Sequence, residues 1–430
     1  MAAQDNPDGG LTVTSRMREL YETPGYLATT RGGQELRDLY QLNSNKFNAS
    51  KLSSFGLACY VAQLDEVGRM IVTGQAPPLN GTETPYKFSY ATILVAGSQR
   101  IVYTPPGSGK FAETLKLLLS KGCPPDVPDI CLYTALHHAT MNHNSRPELA
   151  RILLEHASNV NYLNKYGSSA ISAALLSGHV GAVDILMEFG ASLDIADADG
   201  FVPGNSFVNY GPQVTAAVTK WLRKRSGEQA PLDEKKCDFC GKKDDGNQLK
   251  LKACSACRSA RYCSAACQRS HWKTHKTTCK AFTPSNTVAL KPSYDDLGGP
   301  VMPIADFRRR ALGLPTDATP AHHMCSAHQP AAFPKSVIVK IQVPYVGDMS
   351  REDQVRFASY ASQSPMLVYT KKRDFVCQIK RPDNPAAYDR VAKIIREKGV
   401  GAAKGYFAAE LKSADELIVK VGELLAEQPF

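Results

Sequence analysis

The sequence predicts a multidomain chain: an α-solenoid of repeated helix pairs, a small two-zinc module and a C-terminal α+β domain. Three observations predict it. Apolar helix-pair phrases recur at an offset of 33 residues within 52–225. Seven cysteines and one histidine crowd into residues 237–279 in four pairs. After residue 334, strand-like alternation and an amphipathic helical stretch return. A chain of 430 residues has room for several such units.

Residues 1–51 read as an N-terminal tail with short helices. Residues 1–10 are polar and are expected to be disordered. Ser15–Glu22 and Gln34–Tyr40 read as helices, broken by Pro24-Gly25 and Gly32-Gly33. They carry no chemistry and are expected to cap the repeat array.

The repeat array is expected over 52–225. GLACYVAQLDEVGRMIVTGQAP occupies 56–77, TALHHATMNHNSRPELARILLEHASNVN occupies 134–161, and SAISAALLSGHVGAVDILMEFGASLD occupies 169–194. Each reads as a short helix, a turn, a second apolar helix and a loop. A further copy starts at Thr84-Pro85, is interrupted near 97–109 and resumes at Phe111–Lys121. Gly200–Arg225 reads as a degenerate closing copy, its second helix running through Val214–Arg225. One helix pair cannot cover its own apolar face, so neighbours must stack. The run Thr134-Ala135-Leu136-His137-His138-Ala139 resembles the T-P-L-H-x-A start of an ankyrin repeat. The resemblance implies a structural, not catalytic, role for His137 and protein binding on the concave face. Thr134 is expected to cap its helix. Thr104–Phe111 imitates a phosphate loop, but Thr104 stands where the first glycine is needed and Phe111 where a Ser or Thr would hold Mg²⁺.

A polar linker over 226–236 leads to the cysteine-rich stretch at 237–279. Its pairs are Cys237/Cys240, Cys254/Cys257, Cys263/Cys267 and His275/Cys279. Short Cys-x-x-Cys loops place two sulfurs on one metal, and i, i+4 spacing puts two ligands on one helical face. Four ligands close one structural zinc, so eight imply two structural Zn²⁺. The stretch is too small to bury a core, so ligation must supply its folding energy.

The run Tyr262-Cys263, Cys267-Gln268, His271-Trp272, His275-Lys276 and Cys279 resembles the MYND zinc finger. The resemblance, not the spacing, assigns Cys237, Cys240, Cys263 and Cys267 to one ion and Cys254, Cys257, His275 and Cys279 to the other. His271 is not a ligand in that pattern. The resemblance also implies Gln268 and Trp272 as contacts for proline-containing peptides. A structural alternative stays open for Trp272, which could pack over a zinc knuckle.

Residues 280–334 read as a flexible linker with a short helix around Ile304–Leu312. His322, His323, Cys325 and His328 form a local group without Cys-x-x-Cys geometry, and whether they bind metal stays open. The domain over 335–430 should contain a strand at Val337–Val343 and a helix at Ser350–Ala361. Beyond them come a hairpin from Met366–Tyr369 and Phe375–Ile379, a helix at Asn384–Lys398 and a strand at Gly405–Leu411. A final helix from Ser413 through Leu425 is expected from the capping pattern Ser413-x-x-Glu416. This domain resembles no family, and its role stays open.

Composition bounds the function. No apolar run reaches the length of a membrane span, and the first residues lack a signal peptide's apolar core. The chain is therefore expected to be intracellular, in cytoplasm or nucleus, where thiols stay available for metal. Net charge is +10, and 12 Lys/Arg stand against 3 Asp/Glu over 235–280. Seven thiolates and two Zn²⁺ would reduce that local excess to about +6. The finger lacks the base-reading pattern of a ββα finger, which argues against nucleic acid as a partner. The expected function is a non-enzymatic adaptor whose repeats and finger each recruit a protein or peptide. The alternative is a MYND-associated lysine methyltransferase, or another activity in the C-terminal domain. No cofactor segment of the N-H-x-x-x-P-N type lies beyond the finger.

Overall fold

A computed structural model describes residues 7–105, 107–141, 144–228, 235–243, 249–295, 327–344 and 364–426. The chain divides into two compact units, Met1–Tyr210 and Gly211–Phe430.

The first unit is helical. Helices α1 (Ser15–Glu22) and α2 (Gly33–Ser44) precede four helix pairs. These are α3 (Ser54–Tyr60) with α4 (Leu64–Val72), α5 (Tyr90–Arg100) with α6 (Phe111–Ser120), α7 (Ala135–Thr140) with α8 (Pro147–Glu155), and α9 (Ala170–Ser177) with α10 (Val180–Glu188). A short α11 (Pro203–Ser206) comes next. First helices pack on first helices, α3 on α5, α5 on α7 and α7 on α9. Second helices pack in the same succession from α4 to α10. The repeated apolar triplets explain this. Ile152, Leu153 and Leu154, and 33 residues on Ile185, Leu186 and Met187, are all buried between neighbouring pairs.

The loops repeat as faithfully as the helices. The carboxylate or amide oxygens of Asp129, Asn164 and Asp197 each accept the N–H groups of the residues two and four positions on. Such Asx turns fold each tip locally. The tips then bond in series: Ile130 N–H to the Tyr86 carbonyl at 3.1 Å, Lys165 N–H to Cys131 at 2.8 Å and Ala198 N–H to Tyr166 at 2.9 Å. Thr134 stands at the N-cap of α7, and the Nδ1 atom of His137 accepts the Thr134 N–H at 3.2 Å.

Thr104–Phe111 lies between two helices, in keeping with its rejection as a phosphate loop. Two expectations need correction here. Residues 7–10 are ordered: Gly9 N–H donates to the Lys51 carbonyl, and Asn48 N–H to the Gly9 carbonyl. The expected second helix of the closing copy, α12 (Pro212–Ser226), falls in the second unit.

The second unit holds the finger and a sheet. Strands β1 (Thr82–Glu83) and β2 (Phe88–Ser89) belong to the first unit, and β3 (Lys252–Ala253) and β4 (Arg261–Tyr262) to the finger. The sheet comprises β5 (Thr287–Leu290), β6 (Pro292–Ser293), β7 (Lys335–Gln342), β8 (Met366–Tyr369), β9 (Val376–Ile379), β10 (Lys404–Ser413) and β11 (Glu416–Lys420). Its order is β5-β11-β10-β7-β8-β9-β6, and every pairing is antiparallel. The two edge strands are separated in sequence by Lys291 alone, so the sheet curls until its edges nearly meet. A helix at Pro385–Lys398 covers one face, burying Val391 and Ile395 among Val339, Ile341, Phe407, Leu417 and Val419.

This sheet overturns two expectations. Residues 287–293, expected in a linker, supply both of its edges; Val288 and Leu290 alternate inward and are buried. The expected final helix is instead the β10–β11 hairpin. Leu417 and Val419 point inward with period two, and β-branched Ile418 and Val419 favour a strand. Ser413 and Glu416 flank the turn, where the Ser413 hydroxyl accepts the Asp415 N–H instead of capping a helix. The expected helices at 304–312 and 350–361 lie outside the described residues. Among the described residues no helix is long and apolar enough to cross a membrane.

Candidate metal centre and peptide groove

Two Cys-x-x-Cys loops, a two-stranded ribbon and one helix position the site. The β3–β4 ribbon pairs Lys252 with Tyr262 and Ala253 with Arg261, which brings the second loop beside Cys263. Ser264 then caps α13 (Ala265–Thr278), its hydroxyl accepting the Cys267 N–H at 3.2 Å. On α13, Cys267 and His275 project toward different loops.

The result is two clusters. The sulfurs of Cys237, Cys240, Cys263 and Cys267 all lie within 4.8 Å of one another, and so do the ligand atoms of Cys254, Cys257, His275 and Cys279. Individual separations are 3.5 Å for Cys240–Cys263, 3.4 Å for Cys263–Cys267 and 3.6 Å for Cys257 Sγ to His275 Nε2. Tetrahedral Zn–S bonds of about 2.3 Å require sulfurs roughly 3.8 Å apart. The donor sets therefore fit zinc in chemistry and in size.

The electrostatics agree. Burial raises the Cys237 thiol, but backbone N–H groups of Cys240, Cys263 and Phe239 outweigh it and bring it down to about 6. Cys254 is lowered in the same manner, against burial, by the N–H groups of Cys257 and Ala256. The first sulfur of each loop is thus eased toward the thiolate form. Neighbouring sulfurs push Cys263 up to about 12, and burial followed by the charges of Cys257 and Cys254 does the same to Cys279. Four thiolates cannot share so small a volume without a cation, and a divalent metal supplies that compensation.

His271 belongs to neither cluster; its Nδ1 lies 3.2 Å from the Tyr262 hydroxyl. Gln268 and Trp272, one turn apart on α13, line one groove of about 340 Å³ with Cys254, Ser255, Ala256 and Arg269. Trp272 is 46% exposed, and its ring stands 6.0 Å from that of His275, so it borders both the groove and the second cluster. His322, His323 and Cys325 lie outside the described residues. The His328 backbone bridges to Val376 at the sheet.

One part of the site had no sequence signal. The Lys420 ammonium, fully buried, donates to the Cys257 carbonyl at 3.0 Å and pairs with Glu423 at 2.6 Å. Ser259 also donates to Glu423. A lysine and a glutamate more than 160 positions from the knuckle carry no local mark of that role.

Helix pairs with repeating tips and a compact finger with two four-donor clusters define a repeat protein that carries a module whose donor groups fit metal binding. Comparison with known families agrees. Residues 237–279 match the MYND finger, and residues 107–197 match ankyrin repeats in three copies. The C-terminal region has no family match.

Curated relatives match over the finger region. SET domain-containing protein 14 of Caenorhabditis elegans is 58% identical over 43 residues, 10% of this chain and 10% of that protein. Ubiquitin carboxyl-terminal hydrolase 19 of Arabidopsis thaliana is 46% identical over 60 residues, 14% of this chain and 8% of that protein. Histone-lysine N-methyltransferase ASHR1 of the same plant is 46% identical over 50 residues, 12% of this chain and 9% of that protein. The chain thus spans about a tenth of the length of these relatives. They correct one expectation. A finger shared with a protein named as a methyltransferase and with one named as a hydrolase does not mark a non-enzyme, so the exclusion of enzyme activity does not stand.

Proposed function

We propose that the chain is a zinc-dependent protein-interaction adaptor acting inside the cell. Two structural Zn²⁺ sit in the finger, one on Cys237, Cys240, Cys263 and Cys267, the other on Cys254, Cys257, His275 and Cys279. Protein fills every coordination position, so the ions organise a surface and leave no place for substrate. That surface offers Gln268 and Trp272 to a proline-containing peptide. The stacked helix pairs from α3 to α10 act as a solenoid and recruit a second protein. Two modest sites on one chain raise apparent affinity through effective concentration.

The observation that carries this reading is the groove beside the second cluster, with Trp272 half exposed on its wall. An exposed tryptophan next to an amide side chain on a rigid helix is a typical anchor for a peptide. The test is capture of proteins by the full chain, with cross-linking of the captured complexes. Cross-links should map to the finger groove and to the repeats; cross-links confined elsewhere would remove the reading.

The match to a histone-lysine N-methyltransferase supports a second reading, a contribution to protein methylation. Incubation with labelled S-adenosylmethionine and histones tests it directly: methyl transfer supports that reading, and no transfer removes it.

A further inference from the structure

The repeat tips already have an occupant. Residues 23–44 meet the middle tip first, reach the last tip at Thr29 and return across the middle tip to the first. The Thr29 N–H and hydroxyl donate to the Asp199 carboxylate at 2.8 and 2.6 Å. Leu27 N–H donates to the Lys165 carbonyl at 2.9 Å. The Arg37 guanidinium stands 4.0 Å over the Tyr166 ring. The Tyr40 hydroxyl donates to Asp129 at 2.6 Å. The tip in turn grips the segment, since the Lys165 ammonium donates to the Thr23 and Gly25 carbonyls. These partners sit in three successive tips, those opened by Asp129, Asn164 and Asp197.

The segment also has packing of its own. Met17 and Leu20 of α1 are buried, as is Leu36 of α2. Arg16 pairs with Glu35 at 2.7 Å and joins the two helices. The Gly32 Cα lies so near Leu20 that a Cβ there would come within 2.6 Å of its Cδ2. Toward the tips the segment holds by these hydrogen bonds and by one buried ring, Tyr40, set 4.8 Å from Tyr86 and 5.8 Å from Tyr133. A helical hairpin tied within itself and anchored at so few points can come away as a unit.

We propose that residues 23–44 are a resident, displaceable ligand of the repeat tips, and that the external partner of those tips is a protein segment presenting hydroxyl and guanidinium donors in a matching order. This rests on the repeats being a protein-binding surface. The tips offer such a segment two carboxylates, Asp129 and Asp199, and the ring face of Tyr166. An external partner then binds only the fraction of molecules whose own segment has lifted, so its apparent affinity falls by that fraction.

Hydrogen exchange on the unaltered full chain tests the first half. Amides of 27–44 should exchange through an opening that α3–α10 do not share. The triple variant T29V/R37A/Y40F tests the second half, because it weakens the segment and leaves the tips intact. It should speed exchange of 27–44 at least tenfold with α3–α10 unchanged. It should also bind a labelled synthetic peptide of residues 12–46 at least tenfold more tightly than the unaltered chain does. If 27–44 and α3–α10 exchange as one cooperative unit, the segment is a structural cap and the proposal is overturned. Equal peptide binding by both proteins, or none by either, overturns it too. Those outcomes concern the segment alone; the repeats as a partner surface stand or fall in the cross-linking experiment.

Discussion

The Lys420 ammonium, fully buried at the end of β11, donates a hydrogen bond to the Cys257 carbonyl at 3.0 Å. It joins the curled sheet to the knuckle that supplies two ligands of the second cluster. Glu423 balances its charge at 2.6 Å, and the Ser259 hydroxyl stands 3.4 Å away. A cation removed from water holds only while these partners stay in place.

Replacement of Lys420 by Met should therefore weaken the sheet and the metal centre together. Leaving the Cys257 carbonyl without its ammonium donor, and the Glu423 carboxylate with only the Ser259 hydroxyl, should cost about 3 kcal/mol. Urea melts of the full chain should show that loss, and a chromogenic chelator should strip zinc faster from the variant. Unchanged chelation kinetics would mean that the contact holds the sheet without supporting the knuckle.

Metal content is the next measurement. Native mass spectrometry should find two zinc ions per chain. Cys257→Ser should reduce the count, because three remaining donors bind zinc far more weakly than four. Chelation should melt α13 and leave the helix pairs of the first unit folded, seen as partial retention of helical circular dichroism. Repeats that melt together with the finger would show one cooperative unit where two are described.

Legibility tracked the range over which each signal acts. The donor pairs of the finger are local, so spacing and motif order at Cys237–Cys279 were enough to foresee both clusters. The repeats were legible because Ile152–Leu154 and Ile185–Met187 restate one helix. The sheet edges were not. Thr287–Leu290 is four residues long inside a Pro-rich tract, and its pairing partner β11 is more than a hundred positions away. At Ser413–Glu416 a local capping pattern pointed to a helix, and burial of Leu417 and Val419 on the sheet overrode it. Lys420 reads as an ordinary lysine of the expected final helix until the knuckle is placed against it.

Trp272→Ala separates recognition from folding. The ring is 46% exposed and lines the groove; it neighbours the His275 ring at 6.0 Å but is itself no member of either cluster. Capture of a proline-containing peptide should weaken at least tenfold, about 1.4 kcal/mol or more, in the range of an interface anchor. Zinc content should stay at the unaltered value. Loss of zinc along with binding would return Trp272 to a structural role.

The last prediction concerns pH. His137 is completely buried, and burial, then the neighbouring His138, lowers it from 6.5 to about 4. A base depressed in the folded state takes up its proton more readily when unfolded. Its contribution is therefore whole above pH 6.5 and is lost progressively as pH falls from 6.5 toward 4. At pH 5 the loss should approach about 2 kcal/mol. His137→Asn keeps an acceptor near the Thr134 N–H and removes the titration. Opening free energies of α7–α10 amides, from exchange corrected for intrinsic rates, should fall between pH 7.5 and pH 5 in the unaltered chain and fall less in the variant. An equal drop in both would show that His137 is not the group whose protonation loosens the repeats.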